Sequence, residues 1–278
     1  MDVLRLTAFS SDPAGGNPAG VVLDATGLGE AEQLAVAAEV GFSETAFLVP
    51  RAERDYAVRY FSPLAEVPFC GHATIAAGVA LAERIGPGAL TFHTPAGRVE
   101  LRTTVEPGQP VSATLVSVAP RTAELSDDLR HRLLAALRWA ESDLDPALPA
   151  RLAYAGAWHP IIAATSRQRL AELDYDFEAL AALMAEQQWT TVDLVWRESP
   201  TVVHARNPFP PGGIVEDPAT GAAAAAFGGY LRELRLVEVP ATVTIHQGVD
   251  MGRPSLLTVD IPAAPGSGIA VTGTAVPL

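Results

Sequence analysis

Glu66-Val-Pro-Phe-Cys-Gly-His-Ala-Thr-Ile-Ala-Ala-Gly-Val-Ala-Leu81 aligns, at an offset of 150 residues, with Glu216-Asp-Pro-Ala-Thr-Gly-Ala-Ala-Ala-Ala-Ala-Phe-Gly-Gly-Tyr-Leu231, and seven of the sixteen positions are identical. Alanine-rich sequence matches itself by chance, but the shared Glu, Pro and two glycines are not explained that way. Each copy is followed by a β-rich run opening Thr-x-His, at Thr91 and at Thr244. The chain therefore reads as a duplication. In both copies a proline-containing turn leads through a glycine into a stretch of high helix propensity, which predicts that Gly71 and Gly221 begin helices. Free N–H groups and the positive dipole end at a helix start bind anions. Two such starts facing each other across a cleft would grip a carboxylate from both sides. Small residues at Ala73, Ala76, Ala77, Ala222 to Ala226, Gly228 and Gly229 let surrounding backbone come close, so a sheet wrapped tightly around each helix is expected.

Outward from these segments the periodicity is mixed. Apolar residues recur at helical spacing over Gly29 to Val40, Ala73 to Arg84, Asp127 to Trp139, Phe177 to Gln187 and Ala222 to Leu234. Short β-rich runs lie between them: Leu4 to Phe9, Ala46 to Val49, Ala57 to Phe61, Leu90 to His93, Ala113 to Val118, Val192 to Trp196, Val202 to Ala205, Val243 to His246 and Leu256 to Ile261. This pattern is α+β or α/β. The Pro/Gly segment Glu106 to Pro110, then a strand and the polar stretch Arg121 to Asp128, marks the expected boundary between two lobes.

Composition removes several function classes. The net charge is −13 and the arginines are scattered, which disfavours nucleic acid, because phosphate binding needs clustered positive charge. All 19 basic residues are arginine. Without lysine there is no Schiff base for pyridoxal phosphate and no Walker-A loop. The longest apolar stretch, Ala222 to Leu231, is short of the ~20 residues a membrane span needs. The N-terminus carries no apolar core with a small-residue cleavage site, so a cytoplasmic protein without membrane association is expected. Cys70 is the sole cysteine, which rules out an internal disulfide and any paired-thiol site. No HExxH or His pair is present, so no metal site is expected, and no cofactor.

Three residues carry candidate chemistry. Glu44, in Gly-Phe-Ser-Glu-Thr-Ala-Phe, stands directly before an apolar strand, and a half-buried carboxylate at such an edge is a general-base candidate; an ordinary solvated strand end is the bland alternative. His72 follows Gly71 at a predicted helix start, where an imidazole can exchange protons near neutral pH, although a lone capping His is usually structural. Asp217, in Glu216-Asp-Pro-Ala-Thr-Gly221, reads first as turn chemistry; its place in the repeat raises it. Gly41-Phe-Ser43-Glu-Thr45 lacks the second Gly of a nucleophile elbow. Gly15-Gly16-Asn17-Pro18 is better read as a turn than as a phosphate loop. Cys70, beside Phe69, reads as a buried thiol.

Taken in order, Gly16-Asn-Pro-Ala19, Phe42-Ser-Glu-Thr-Ala-Phe47, Tyr60-Phe-Ser-Pro63, Glu66-Val-Pro68, Cys70-Gly-His-Ala-Thr74, Glu216-Asp-Pro-Ala-Thr-Gly221, Gln247-Gly248 and Met251-Gly-Arg-Pro-Ser255 resemble the PhzF family of phenazine-biosynthesis isomerases, related in fold to diaminopimelate epimerase. The resemblance spans nearly the whole chain. It implies an α+β fold of two pseudo-symmetric lobes, each a curved, barrel-like mixed sheet around a central helix. The lobes would comprise residues 1–112, joined by a returning strand in 266–278, and residues 113–265.

The resemblance further implies that Glu44 is the general base, with His72 and Asp217 beside it, and that Asn17, Ser43, Gly71, Ala73, Thr220, Gly221 and Ala222 contact a small-molecule carboxylate substrate. Family members resemble homodimers. In the phenazine enzyme a proton leaves one ring carbon of dihydro-3-hydroxyanthranilate and another carbon is protonated, without metal or cofactor. Where the family commonly has Ser after the second Thr-Gly, this chain has Ala222, which keeps a backbone contact but loses a hydroxyl and argues for a different small acid. Diaminopimelate epimerase and proline racemase use two opposed cysteines, which this chain cannot supply. An epimerase, tautomerase or dehydratase of another small acid, or a non-catalytic binding protein of the same fold, are the competing expectations.

Overall fold

The computed structural model describes residues 2–278 and is α+β throughout. The first compact unit runs to Val116 and also takes in Arg253–Ser255 and Thr272–Leu278; the second comprises Ser117–Gly252 and Leu256–Val271. The division thus falls after Val116, where the sequence put it after 112, because Ser112–Val116 pairs with the strand before it.

In the first unit the elements are β1 (Leu4–Ala8), β2 (Asn17–Val22), α1 (Glu30–Val40), β3 (Glu44–Ala52), β4 (Asp55–Phe61), β5 (Glu66–Val67), α2 (Gly71–Ile85), β6 (Gly88–Thr94), β7 (Gly97–Thr104) and β8 (Ser112–Val116). The second unit contributes β9 (Arg121–Glu124), α3 (Asp127–Leu137), β10 (Arg151–Tyr154), β11 (Trp158–Ala163), α4 (Arg167–Ala171), α5 (Phe177–Gln187), β12 (Asp193–Ser199), β13 (Val202–Phe209), β14 (Ile214–Asp217), α6 (Gly221–Glu233) and β15 (Ala241–Gln247). The last strands are β16 (Ser255–Ile261) and β17 (Ala270–Pro277).

Eight strands of the first unit close on themselves. β17 pairs with β1, β1 with β2, β2 in parallel with β3, β3 with β4, β4 in parallel with β6, β6 with β7, β7 with β8, and β8 again with β17. Closure removes both free edges. α2 runs through this barrel with every residue from His72 to Ala82 buried. A Cβ at Gly78 would sit 3.0 Å from Leu101 Cδ2 and 3.4 Å from Ala113 Cβ, so the helix has small residues because its wall allows nothing larger. α1 stays outside; the Glu32 carboxylate accepts from the Gly29 N–H at its start (2.8 Å) and Gly41 ends it at φ +72°.

The second unit repeats the order of pairings. β10 meets β11 antiparallel, β11 meets β12 in parallel, β12 meets β13 antiparallel, and β13 meets β14 antiparallel and β15 in parallel. These match β1–β2, β2–β3, β3–β4, β4–β5 and β4–β6 in turn. α6 takes the place of α2, buried from Ala223 to Leu231. A Cβ on Gly228 would lie 2.9 Å from both Val259 and Ile269 side chains, the same close approach as at Gly78. α3 and α5 cover a separate core of Leu133, Leu137, Leu180, Leu183, Met184 and Trp189.

Three local expectations change. Glu44 opens β3 instead of preceding it, because Glu44 pairs with Ala19 of β2. Asn17 opens β2; the turn lies before it, over residues 12–15, closed by the Gly15 N–H donating to the Asp12 carbonyl (3.0 Å). Arg121–Glu124, polar enough to read as linker, is a strand because β10 supplies its partners. Among the described residues no helix is long and apolar enough to cross a membrane.

Candidate active site

Both predicted helix starts are real: α2 begins at Gly71 and α6 at Gly221. In the first unit, Cys70 is the residue just before α2, with extended backbone (φ −141°, ψ 115°). Its carbonyl accepts from the Thr74 N–H (3.1 Å) and the Thr74 hydroxyl (2.6 Å), and that hydroxyl also meets the buried Tyr60 hydroxyl (2.6 Å). The cap is therefore held from the barrel wall. His72, in the first helical turn, is buried, and its Nε2 lies 3.4 Å from Glu44 Oε2 and 3.3 Å from Ser43 Oγ. The Cys70 thiol donates to Glu44 Oε2 at 3.5 Å and lies 3.4 Å from His72 Nδ1. Glu44 keeps 15% of its side chain exposed, so it is sheltered from water and still reachable.

Of the predicted residues in this unit, Ser43, Glu44 and His72 are thus brought into one cluster. Gly71 and the buried Ala73 flank His72 on α2. Asn17 is buried on β2, two residues before the partner of Glu44. A Cβ on Gly71 would meet nothing within 4 Å, so no protein neighbour demands glycine at that helix start.

The remaining predicted residues form a group in the second unit. Asp217 ends β14, buried, and its Oδ2 accepts from the Thr220 hydroxyl at 2.6 Å. The Thr220 N–H donates to Gln247 Oε1 (3.0 Å), and Gln247 Nε2 donates to the Asp217 carbonyl (2.8 Å) and to Thr220 Oγ1 (3.0 Å). Gly221 and Ala222, both half-buried, open α6.

Sequence reasoning missed several members. Cys70 is buried, as read, but it touches both Glu44 and His72. Gln247, at the end of β15, ties Asp217 to Thr220. The repeated glutamates have a shared purpose too: Glu66 receives Arg59 Nε (2.7 Å) and Nη2 (2.6 Å), and Glu216 receives Arg206 Nε (2.9 Å) and Nη2 in the same two-pronged way. The signal was present, since an Arg-x-Phe or Arg-x-x-Phe precedes each glutamate across a proline turn. The Arg59 guanidinium holds the Glu66 carboxyl below the usual range. Burial pushes Asp193 up to about 7, with the Asn207 side chain opposing, and pushes His159 down to about 4. These two buried groups share a network in which the Thr191 hydroxyl meets His159 Nδ1 (2.9 Å) and Asn207 Nδ2 (3.0 Å).

A family model for phenazine biosynthesis-like proteins, PhzC-PhzF, matches residues 6–278. The chain belongs to that family. Among relatives of this PhzF-family chain, the uncharacterized isomerase YddE of Escherichia coli K12 is 33% identical over 99% of the chain and 95% of its own length. The trans-2,3-dihydro-3-hydroxyanthranilate isomerase of Pseudomonas chlororaphis is 31% identical over 91% of the chain and 87% of its own length. The crystal structure of a PhzF-family phenazine biosynthesis protein of Bacillus anthracis superposes with a TM-score of 0.88 at 27% identity, covering 99% of this chain and 96% of that one. The PhzF-family chain is accordingly an enzyme of the isomerase type.

Proposed function

We propose that this enzyme moves a proton between two carbons of a small, cyclic carboxylate, with Glu44 as the base. The observation that carries the reading is the Glu44 carboxylate, mostly shielded from water and in contact with a buried imidazole at the start of α2. Glu44 takes the proton from carbon, and the C–H electron pair spreads into the adjoining unsaturated system. N–H groups at the start of α2 stabilise the anion that results. The proton returns to a different carbon, from Glu44 itself or through His72, 3.4 Å away, so atoms and charge balance without a redox step. The substrate named for the Pseudomonas relative, a cyclic amino acid with a hydroxyl, supports this substrate class.

Asp217 enters the proposal through the repeat, as the acidic residue at the second helix start, and Asp217→Asn tests it separately. Ala222 offers no hydroxyl, which supports a substrate other than the phenazine precursor. A homodimer belongs to the reading on the family resemblance, and light scattering tests it. The decisive experiment incubates cyclic hydroxy and amino acids with enzyme in deuterated water. Deuterium should enter the substrate carbon with wild-type protein and not with Glu44→Gln; equal incorporation by both would remove Glu44 from the mechanism.

A further inference from the structure

We propose that Glu44, Cys70 and His72 also form a binding site for a zinc-class divalent cation, and that filling it silences the acid–base cluster. The three ligand atoms lie within 4.8 Å of one another. Their separations are 3.4 Å from Glu44 Oε2 to His72 Nε2, 3.5 Å from Cys70 Sγ to Glu44 Oε2 and 3.8 Å from Cys70 Sγ to His72 Nε2. A tetrahedral zinc with bonds of ~2.3 Å to sulfur and ~2.1 Å to nitrogen and oxygen has edges of roughly 3.4 Å for N–O and roughly 3.6 Å for S–N and S–O. The three edges have the right lengths, but Cys70 Sγ lies nearer His72 Nδ1 (3.4 Å) than Nε2 (3.8 Å), so the imidazole must turn about its Cβ–Cγ bond to aim Nε2 at the shared vertex; three protein ligands then leave a fourth position for water.

The donor set selects the ion. Thiolate and imidazole favour zinc-class metals, whereas magnesium and calcium require oxygen ligands. One thiolate, one carboxylate and a neutral imidazole balance a charge of +2, so the filled site is neutral and its burial carries no net-charge penalty. Thr74 holds the Cys70 carbonyl from behind. Binding displaces the thiol proton, so affinity rises with pH. Metal binding stands on geometry alone, whereas silencing rests on Glu44 being the base.

Metal-stripped protein titrated with Zn2+ in a calorimeter should bind one ion per chain, and Mg2+ at the same concentrations should give no heat. Co2+ provides the structural probe. With one cysteine in the chain, a thiolate-to-cobalt charge-transfer band in the near ultraviolet reports Cys70 and no other residue. Cys70→Ser should abolish the band and weaken Zn2+ by more than about 100-fold, beyond the usual effect of losing an outer-sphere partner. Absence of the band in wild-type protein, which needs no variant to fold, overturns the site, as does unchanged Zn2+ affinity in Cys70→Ser. Deuterium incorporation should fall in step with Zn2+ occupancy and recover with a chelator. Full activity at full occupancy overturns the silencing and leaves the site standing. Undiminished exchange by Glu44→Gln overturns the proposed function and leaves the cobalt band untouched.

Discussion

The two copies of the repeat share a scaffold and differ in how closely their polar groups are held. At the start of α2 the polar side chains are Glu44, Cys70 and His72, at separations of 3.4–3.8 Å, with part of Glu44 open to solvent. At the start of α6, Asp217, Thr220 and Gln247 are locked by four hydrogen bonds of 2.6–3.0 Å. The supporting ion pairs differ in the same sense: Arg59 and Glu66 keep 35% and 28% of their side chains exposed, whereas Arg206 and Glu216 keep 9% and 5%. Duplication supplied one backbone twice. The first copy holds titratable groups in loose contact, which suits proton transfer, whereas in the second Asp217 sits in a tighter hydrogen-bonded group.

The largest effect should come from the loose copy. Glu44→Gln is expected to lower kcat for proton exchange by about a thousand-fold or more, about 4 kcal/mol of barrier, while urea stability changes little. A comparable loss of stability would show that this cluster is structural like its counterpart. Next in size is Arg206→Ala, which leaves Glu216 charged and buried and should cost about 3–4 kcal/mol. Arg59→Ala, at the matching place in the first unit, should cost under about 1 kcal/mol because water screens the pair. Equal costs in urea melts would erase the distinction between the copies.

A pH experiment sharpens the contrast inside the second unit. Asp193 titrates at about 7 in the fold against 3.8 as its ordinary value. The folded protein therefore holds this proton where the unfolded chain has released it. The contribution of the neutral acid is complete below about 4 and is lost as the pH rises through about 7. His159, pushed from 6.5 to about 4, works oppositely: its neutral form contributes fully above 6.5, and that contribution is lost as the pH falls through about 4. Asp193→Asn removes the first slope and keeps the second. Relative to wild type, its stability should therefore rise by about 2–4 kcal/mol from pH 4 to pH 8. Urea midpoints across that range test this, and a constant difference would mean that Asp193 stays ionised in the fold. Gln247→Ala should cost about 1–2 kcal/mol in the same urea melts, from the hydrogen bonds lost around Thr220.

Much of this molecule is legible in its sequence for a physical reason: helix starts and strand alternation are local. The Gly71 and Gly221 starts, all five long helices and the pairing of two small-residue helices follow from spacing and propensity within about fifteen residues. So do the exclusions that rest on the absent lysine and the single cysteine. Only the tertiary structure could bring Cys70 to Glu44, 26 residues away in the chain, or turn polar Arg121–Glu124 into a strand. It alone buried Arg206 with Glu216 while leaving Arg59 with Glu66 partly exposed, and sank Asp193 and His159 into the interior. Each of these depends on which strand lies alongside and what covers it. Those are contacts between distant segments, and the side chains at either end carry no local mark of them.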